Sequence, residues 1–277
     1  DIHEEKTIGE ALDIQHGIPD MGISSVRAGT YADCKDCDLI IITAGRNRKR
    51  GESRLDLIAG NSAILKDVVG QMKPYYTKGV IMIVSNPVDV LVYQCTKWMG
   101  LPNGMVFGTG CILDSSRFTR LIADYTHLNT EVVKATIVGE HGDAQIPIWS
   151  RASIAGVPLQ EYCENVGLKW DEEIRKEISD KVREMGATII KGKGRTHYGI
   201  ATCVCYLAEA VLNQRLTIAP VSTMFQGEYG IEDVCLSVPS IIGVNGVEKR
   251  LEERWAEEEF QAFRQAADKM KKVLKTL

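Results

Sequence analysis

Two uninterrupted apolar runs, Leu39-Ile40-Ile41-Ile42-Thr43-Ala44 and Val80-Ile81-Met82-Ile83-Val84, dominate the first third of the chain. Short β-branched runs without polar alternation read as strands buried on both faces of a parallel sheet. Between them, residues 53–71 carry Leu57, Ala59, Ile64, Leu65 and Val68 or Val69 at helical spacing. Strand, helix and strand in that order make a right-handed crossover unit. The strands end in Thr43-Ala44-Gly45 and Ser85-Asn86-Pro87, and ligands of open α/β sheets gather at such carboxyl ends. Further on, residues 134–138 read as a strand, 171–192 as a long charged helix and 201–212 as an apolar helix. Residues 234–242 suggest strands of another sheet, and 252–277 an amphipathic closing helix whose acidic start and lysine-rich end suit the helix dipole. The predicted architecture is α/β: a doubly wound parallel sheet over residues 1–109, then a second, mixed α/β domain over 110–277.

Composition adds little that disturbs this picture. A chain of 277 residues can bury one large core or two smaller ones. With 25% charged residues and a formal net charge of -4, no broad basic field invites nucleic acid or an anionic membrane surface. No run approaches the ~20 apolar residues of a membrane span. A small-molecule substrate is therefore expected, with neither nucleic acid nor membrane as partner. Most of the eight cysteines lie inside apolar runs, Cys95, Cys203, Cys205 and Cys235 among them, which predicts buried reduced thiols and a cytoplasmic setting. Cys34-Lys35-Asp36-Cys37 has the spacing of a metal or redox pair, but no second pair follows at suitable spacing. The five histidines show no ligand spacing either, so no metal is expected.

The candidate chemistry lies in Gly139-Glu140-His141-Gly142-Asp143 and Leu113-Asp114-Ser115-Ser116-Arg117. An aspartate can orient and stabilise an imidazolium, and an arginine can grip a carboxylate with two prongs. Each piece has a plainer reading. His141 can be an ordinary polar-loop histidine, and Asp114 with Arg117 a surface helix pair worth only ~0.3 to 0.5 kcal/mol. Arg54 can be a solvated charge, Asn86 a turn former before Pro87, and Thr196 a turn residue after two glycines.

Taken in order along the chain, these motifs resemble the L-lactate and malate dehydrogenase family, and the resemblance covers nearly the whole sequence. One family pattern accounts for all five motifs at compatible spacing, so the plainer readings fail jointly. The resemblance implies a Rossmann-like first domain, NAD as cofactor, and hydride transfer between NAD and an L-2-hydroxy acid. It implies that His141 is the general acid and base, that Asp114 holds its ring, and that Arg54, in Gly51-Glu52-Ser53-Arg54-Leu55-Asp56-Leu57, polarises the substrate carbonyl when a mobile loop closes. Arg117 would bind the substrate carboxylate. Asn86 would lie near the reacting centre, Val84 beside the nicotinamide, Thr196 in the substrate pocket, and Thr43, Ala44 and Gly45 along the cofactor crevice. Family likeness also implies a homotetramer or homodimer. Thr119 and Lys134 stand where many bacterial lactate dehydrogenases carry the arginine and histidine that bind fructose 1,6-bisphosphate, which implies weak or absent activation by that effector.

The opening residues Asp1-Ile2-His3-Glu4-Glu5-Lys6 resemble the segment that, in this family, follows the first strand and the glycine-rich phosphate turn. The expectation is an N-terminally truncated sequence in which the first strand and glycine loop are missing, Asp1 is the ribose ligand that prefers NAD to NADP, and NAD binding by this fragment alone is poor. Substrate signals divide. Arg48, in Arg46-Asn47-Arg48-Lys49-Arg50-Gly51, falls where malate dehydrogenases carry an arginine for the second carboxylate of oxaloacetate. The segment around Arg54, Thr196 and Pro220-Val221-Ser222-Thr223-Met224 resemble lactate dehydrogenases. L-Lactate and pyruvate are favoured over malate and oxaloacetate, with a bulkier 2-hydroxy acid third and a catalytically silent NAD-binding protein as the non-enzyme reading.

Overall fold

A computed structural model describes residues 1–20, 22, 24–47 and 54–277, with Asp20 and Arg54 described by backbone alone. Helix α1 (Glu4–Gly17) leads to strand β1 (Leu39–Ile42), α2 (Arg54–Met72), β2 (Val80–Ile83), α3 (Val88–Met99), β3 (Val106–Gly108) and α4 (Ile112–Thr126). There follow β4 (Val133–Lys134), β5 (Ile137–Gly139), β6 (Gln145–Pro147), β7 (Ser153–Ile154), β8 (Val157–Pro158), α5 (Leu159–Asn165), α6 (Glu172–Lys193) and α7 (Tyr198–Leu212). Strands β9 (Thr217–Gln226), β10 (Glu232–Gly243) and β11 (Gly246–Arg250) and helix α8 (Glu257–Leu274) close the chain.

The predicted crossover is present, with β1, β2 and β3 side by side and parallel. The antiparallel strands do not form a separate large sheet. Strands β9 and β10 extend the same sheet, in the order β1-β2-β3-β9-β10-β5-β6 with β11 on β10, and among the described residues only β4, β7 and β8 stand apart. The 134–138 run accordingly divides between the two sheets. Strand β2 is buried throughout, as expected, whereas β1 ends the sheet and leaves Ile41 40% exposed.

Alternation along β2 shows why helices cover both faces. Ile81 and Ile83 pack with Leu65, Val69 and Met72 of α2 and Leu91, Val92 and Cys95 of α3. Val80 and Met82 point the other way, onto Cys203, Leu207 and Val211 of α7. Helix α8 buries Phe263, Ala266, Ala267 and Met270 against Val138, Leu236 and Val238. A fourth cluster joins Phe118 and Ile122 of α4 to Ile178 and Val182 of α6. Helix α6 begins where Asp171 Oδ1 accepts from Ile174 N at 3.1 Å and ends at Gly194 in the left-handed conformation. Among the described residues no helix is long and apolar enough to cross a membrane.

All eight cysteines are free. Five are buried, Cys34 and Cys37 are half-buried, and Cys205 is exposed, against the expectation from its apolar surroundings, because it lies on the outer side of α7. Cys37 Sγ donates to Asp33 O at 3.1 Å, and burial raises the Cys34 thiol above its ordinary value.

Candidate active site

One row of the sheet prepares the site. Register pairs Ile42 with Ile83, Ile83 with Gly108, Gly108 with Ser222, Ser222 with Ser237, and Ser237 with Gly139. The chain segments that leave this row carry the candidate residues. The row must stay small where helices start close to it. At Gly110, with φ of 51°, a Cβ would stand 2.3 Å from Ser237 Oγ and 2.5 Å from Ser222 N, so only glycine permits the entry into α4. Gly139, with φ of 92°, likewise turns the chain out of β5 toward His141.

His141 is held from two sides. Its Nδ1 lies 2.6 Å from Asp114 Oδ2, and its main-chain N–H donates to Asp89 Oδ2 at 2.8 Å. Asp114 sits in the first turn of α4 and Asp89 in the first turn of α3, where the helix dipoles favour a negative charge. Both carboxylates are buried, while a quarter of the His141 side chain is exposed. Ser222 Oγ donates to Asp89 Oδ1 at 2.6 Å, and Arg117 Nη1 donates to Asp114 Oδ1 at 3.1 Å. Asp114 and Arg117 are thus a helix pair at i, i+3, but one withdrawn from solvent and joined to the imidazole.

These contacts set the acid–base balance of the ring. Burial disfavours the imidazolium, yet the hydrogen bond and charge of Asp114 with the charge of Asp89 outweigh it. Arg117 opposes them, and the net effect raises His141 above its ordinary value. With Nδ1 engaged by a carboxylate, Nε2 is the ring atom left to meet a substrate.

The second cluster lies at the carboxyl ends of β1 and β2. Thr43, Ala44 and Gly45 are exposed, Val84 is half-buried, and Asn86 is exposed. Ser85 Oγ donates to Ala44 O at 2.6 Å, tying the two strand ends together. Asn61, buried on α2, fastens both: its Nδ2 donates to Asn86 O at 2.6 Å and to Arg46 O at 3.1 Å, and its Oδ1 accepts from Arg46 N at 2.9 Å. Asn86 Oδ1 accepts from Val88 N at 3.3 Å. A Cβ on Gly45 would stand 3.3 Å from Ser85 Cβ, inside the ~3.5–4.0 Å of comfortable carbon contact. Gly45 therefore keeps this strand end exposed and free of a side chain.

Not every candidate joins these clusters. Thr196 is exposed between α6 and α7, and among the described residues no hydrogen bond ties it to the His141 network. Three residues on, Gly199 packs against Leu113, the neighbour of Asp114. Asp1 is exposed ahead of α1, where its Oδ1 accepts from His3 N at 3.1 Å. Arg48 lies outside the described residues, and Arg54 is placed only by its backbone, as the first residue of α2. Sequence reasoning missed Asn61, Asp89, Ser85 and Ser222 as parts of the site. Ser85 and Ser222 both stood within segments already singled out, while Asp89 carried only the weaker signal of a polar residue inside an otherwise apolar helix.

A carboxylate-held histidine beside an arginine, just beyond a strand end of an open α/β sheet, defines a site that can exchange a proton with a bound carboxylic acid. The family model for the lactate/malate dehydrogenase NAD binding domain matches residues 1–108, and that for the lactate/malate dehydrogenase alpha/beta C-terminal domain matches residues 111–277. The chain belongs to the lactate/malate dehydrogenase family. It is 42% identical to the L-lactate dehydrogenase of Thermoanaerobacterium saccharolyticum, over 100% of this chain and 89% of that protein. It is 38% identical to the L-lactate dehydrogenase of Acetivibrio thermocellus, over 100% of this chain and 87% of the relative. Among solved structures, the minor L-lactate dehydrogenase from Enterococcus mundtii, in its ligand-bound form, superposes with a TM-score of 0.95 at 37% identity, covering 100% of this chain and 88% of that one. An L-lactate dehydrogenase from Clostridium thermocellum superposes with a TM-score of 0.85 at 44% identity, covering 98% of this chain and 87% of that one.

Proposed function

We propose that this protein interconverts L-lactate and pyruvate with NAD, and that the observation carrying the reading is the 2.6 Å contact from His141 Nδ1 to buried Asp114. In pyruvate reduction His141 Nε2 gives its proton to the carbonyl oxygen, and in lactate oxidation it takes that proton back. Asp114 fixes the tautomer and stabilises the charged ring. Arg117 binds the substrate carboxylate. One Nη1 proton serves Asp114, so the carboxylate is met by the remaining donors of the guanidinium. Asn86 contacts the reacting centre, Thr196 lines the substrate pocket, and Arg54 polarises the carbonyl on loop closure. When bound, NAD supplies the acceptor and donor of hydride at C2 of the substrate. Residues 43–45 and 84–86 receive its nicotinamide end, and Asp1 its adenosine ribose.

In this reading residues 1–109 bind the cofactor and 110–277 the substrate, in a cytoplasmic homotetramer or homodimer. The lactate assignment is supported by the named relatives. Arg48 supports a second reading, in which a second carboxylate is bound and oxaloacetate is the substrate. NADH oxidation with pyruvate and oxaloacetate side by side decides between them through kcat/KM. Faster turnover of pyruvate is expected. Preference for oxaloacetate would assign Arg48 the second carboxylate, and absence of turnover with both in protein shown to bind NADH would leave a bulkier 2-hydroxy acid or a catalytically silent NAD-binding protein.

A further inference from the structure

The network around His141 contains a second carboxylate that the proposed reaction does not use directly. Asp89 is only 1% exposed and lies three residues after Asn86, on the first turn of α3. Its two oxygens reach different parts of the fold: Oδ1 accepts from Ser222 Oγ on β9, and Oδ2 from the main-chain N–H of His141 beyond β5. Asn86 is bound into the same turn through Val88 N. Asp89 therefore ties the His141 loop to the first turn of α3, which begins next to Asn86. Burying a carboxylate is costly, and leaving a loop N–H unsatisfied costs too. Here each answers the other at the one loop whose placement determines where Nε2 stands.

We propose that Asp89 is a positioning residue for proton exchange: it clamps the His141 main chain to α3 and β9, and adds a second negative charge to the one that Asp114 holds against the ring. The inference rests on His141 being the acid and base of the reaction. Among the described residues, the charged groups about His141 are Asp114 and Arg117 from α4, Asp89 from α3, and Glu140 and Asp143 in its own loop. The charge of Asp89 favours the imidazolium in the same direction as Asp114. A purely structural clamp would hold the loop without acting on the titration of the ring.

The test substitutes Asp89→Asn in the full chain, which keeps an oxygen to accept from His141 N–H and removes the charge. Titration of the His141 ring is followed by NMR of ¹³C-labelled histidine, with the signal assigned through His141→Gln. The midpoint is expected to fall. The alkaline limb of kcat for pyruvate reduction should move down with it, costing roughly tenfold in kcat above the wild-type midpoint, while KM stays within about twofold. An unchanged midpoint in a folded variant overturns the proposal. Should the variant fail to fold, the carboxyl carbon of Asp89 in the wild-type protein is followed from about pH 5 to 9. It must stay ionised throughout, and a titration within that range overturns the proposal equally. A lowered midpoint in a protein whose wild type reduces neither pyruvate nor oxaloacetate would sustain the electrostatic coupling and reject the reaction.

Discussion

The middle of the sheet and its β1 end meet their surroundings in opposite ways. At the middle, Ser222, Ser237 and Leu236 have no exposed surface, and helices cover both faces. At the other end Ile41 is 40% exposed, and α1 buries none of its residues although Ile8, Leu12 and Ile14 lie along it. The two ends of this contrast have different causes. A proton-exchanging pair works best where charge is fixed in place before the substrate arrives. At the β1 end no further strand among the described residues pairs with the sheet, and that alone leaves Ile41 uncovered.

The sharpest test of the buried part is His141→Asn. General acid–base groups contribute about 10²–10⁴-fold, so kcat should fall by that much in both directions while Tm stays within about 2 °C, because the ring is partly exposed and its loop remains held through the backbone. A Tm loss much larger than this would make the residue primarily structural. Asp114→Asn comes next, with a loss on the order of 10²-fold. His141 is raised in the folded protein, so the protonated ring survives to higher pH and pyruvate reduction should fall only as pH rises through that raised value, with lactate oxidation rising over the same window. Asp114→Asn removes the principal raising contribution and should move both limbs to lower pH in kcat–pH profiles. The same shift has a stability consequence: the contribution of His141 is fully present below the ordinary histidine value and is lost as pH rises through the folded one. A wild-type profile whose limb lies below the ordinary value would contradict the geometry at Asp114.

The boundary between the two parts is fastened by Asn61, which satisfies backbone groups of Arg46 and Asn86 from α2. Asn61→Ala leaves those groups short of partners and should cost about 1–3 kcal/mol in chemical denaturation. A cost near zero would show the strand ends to be held by Ser85 alone. Asn61 also marks where the sequence stops being readable. The pattern gave the existence of α2 and its buried Leu65 and Val69, but set Leu57, Ala59 and Ile64 beside them, whereas the rest of the buried line is Ile58, Asn61 and Met72. A polar residue in that line is invisible to hydrophobic spacing, since only the third dimension supplies its partners. His141, Asp114 and Arg117 were legible because their residue types form a chemical set. Asp89 was not, because its meaning depends on β9 and β5 being brought beside α3. The continuous sheet was likewise hidden: β10 reads the same whether it pairs with β9 in the main sheet or in a second one.

The smallest expected effect probes the open side. Leu12 is 51% exposed on α1, a helix with no buried residue. A charge placed there, Leu12→Asp, meets water on the folded chain, and surface changes of this kind stay within about 0.5 kcal/mol. For a chain of this size that is a Tm shift of no more than about 2 °C. The variant should also keep its pyruvate kinetics, since α1 contributes nothing to the His141 network. A loss of several degrees, or one that deepens on dilution, would mean that α1 is covered in solution by a second copy of the chain. In that case the open side is an interface, and the contrast with the buried row belongs to the single chain alone. An unchanged Tm at all concentrations would instead leave α1 a solvent-facing helix, and the contrast would hold for this chain in solution.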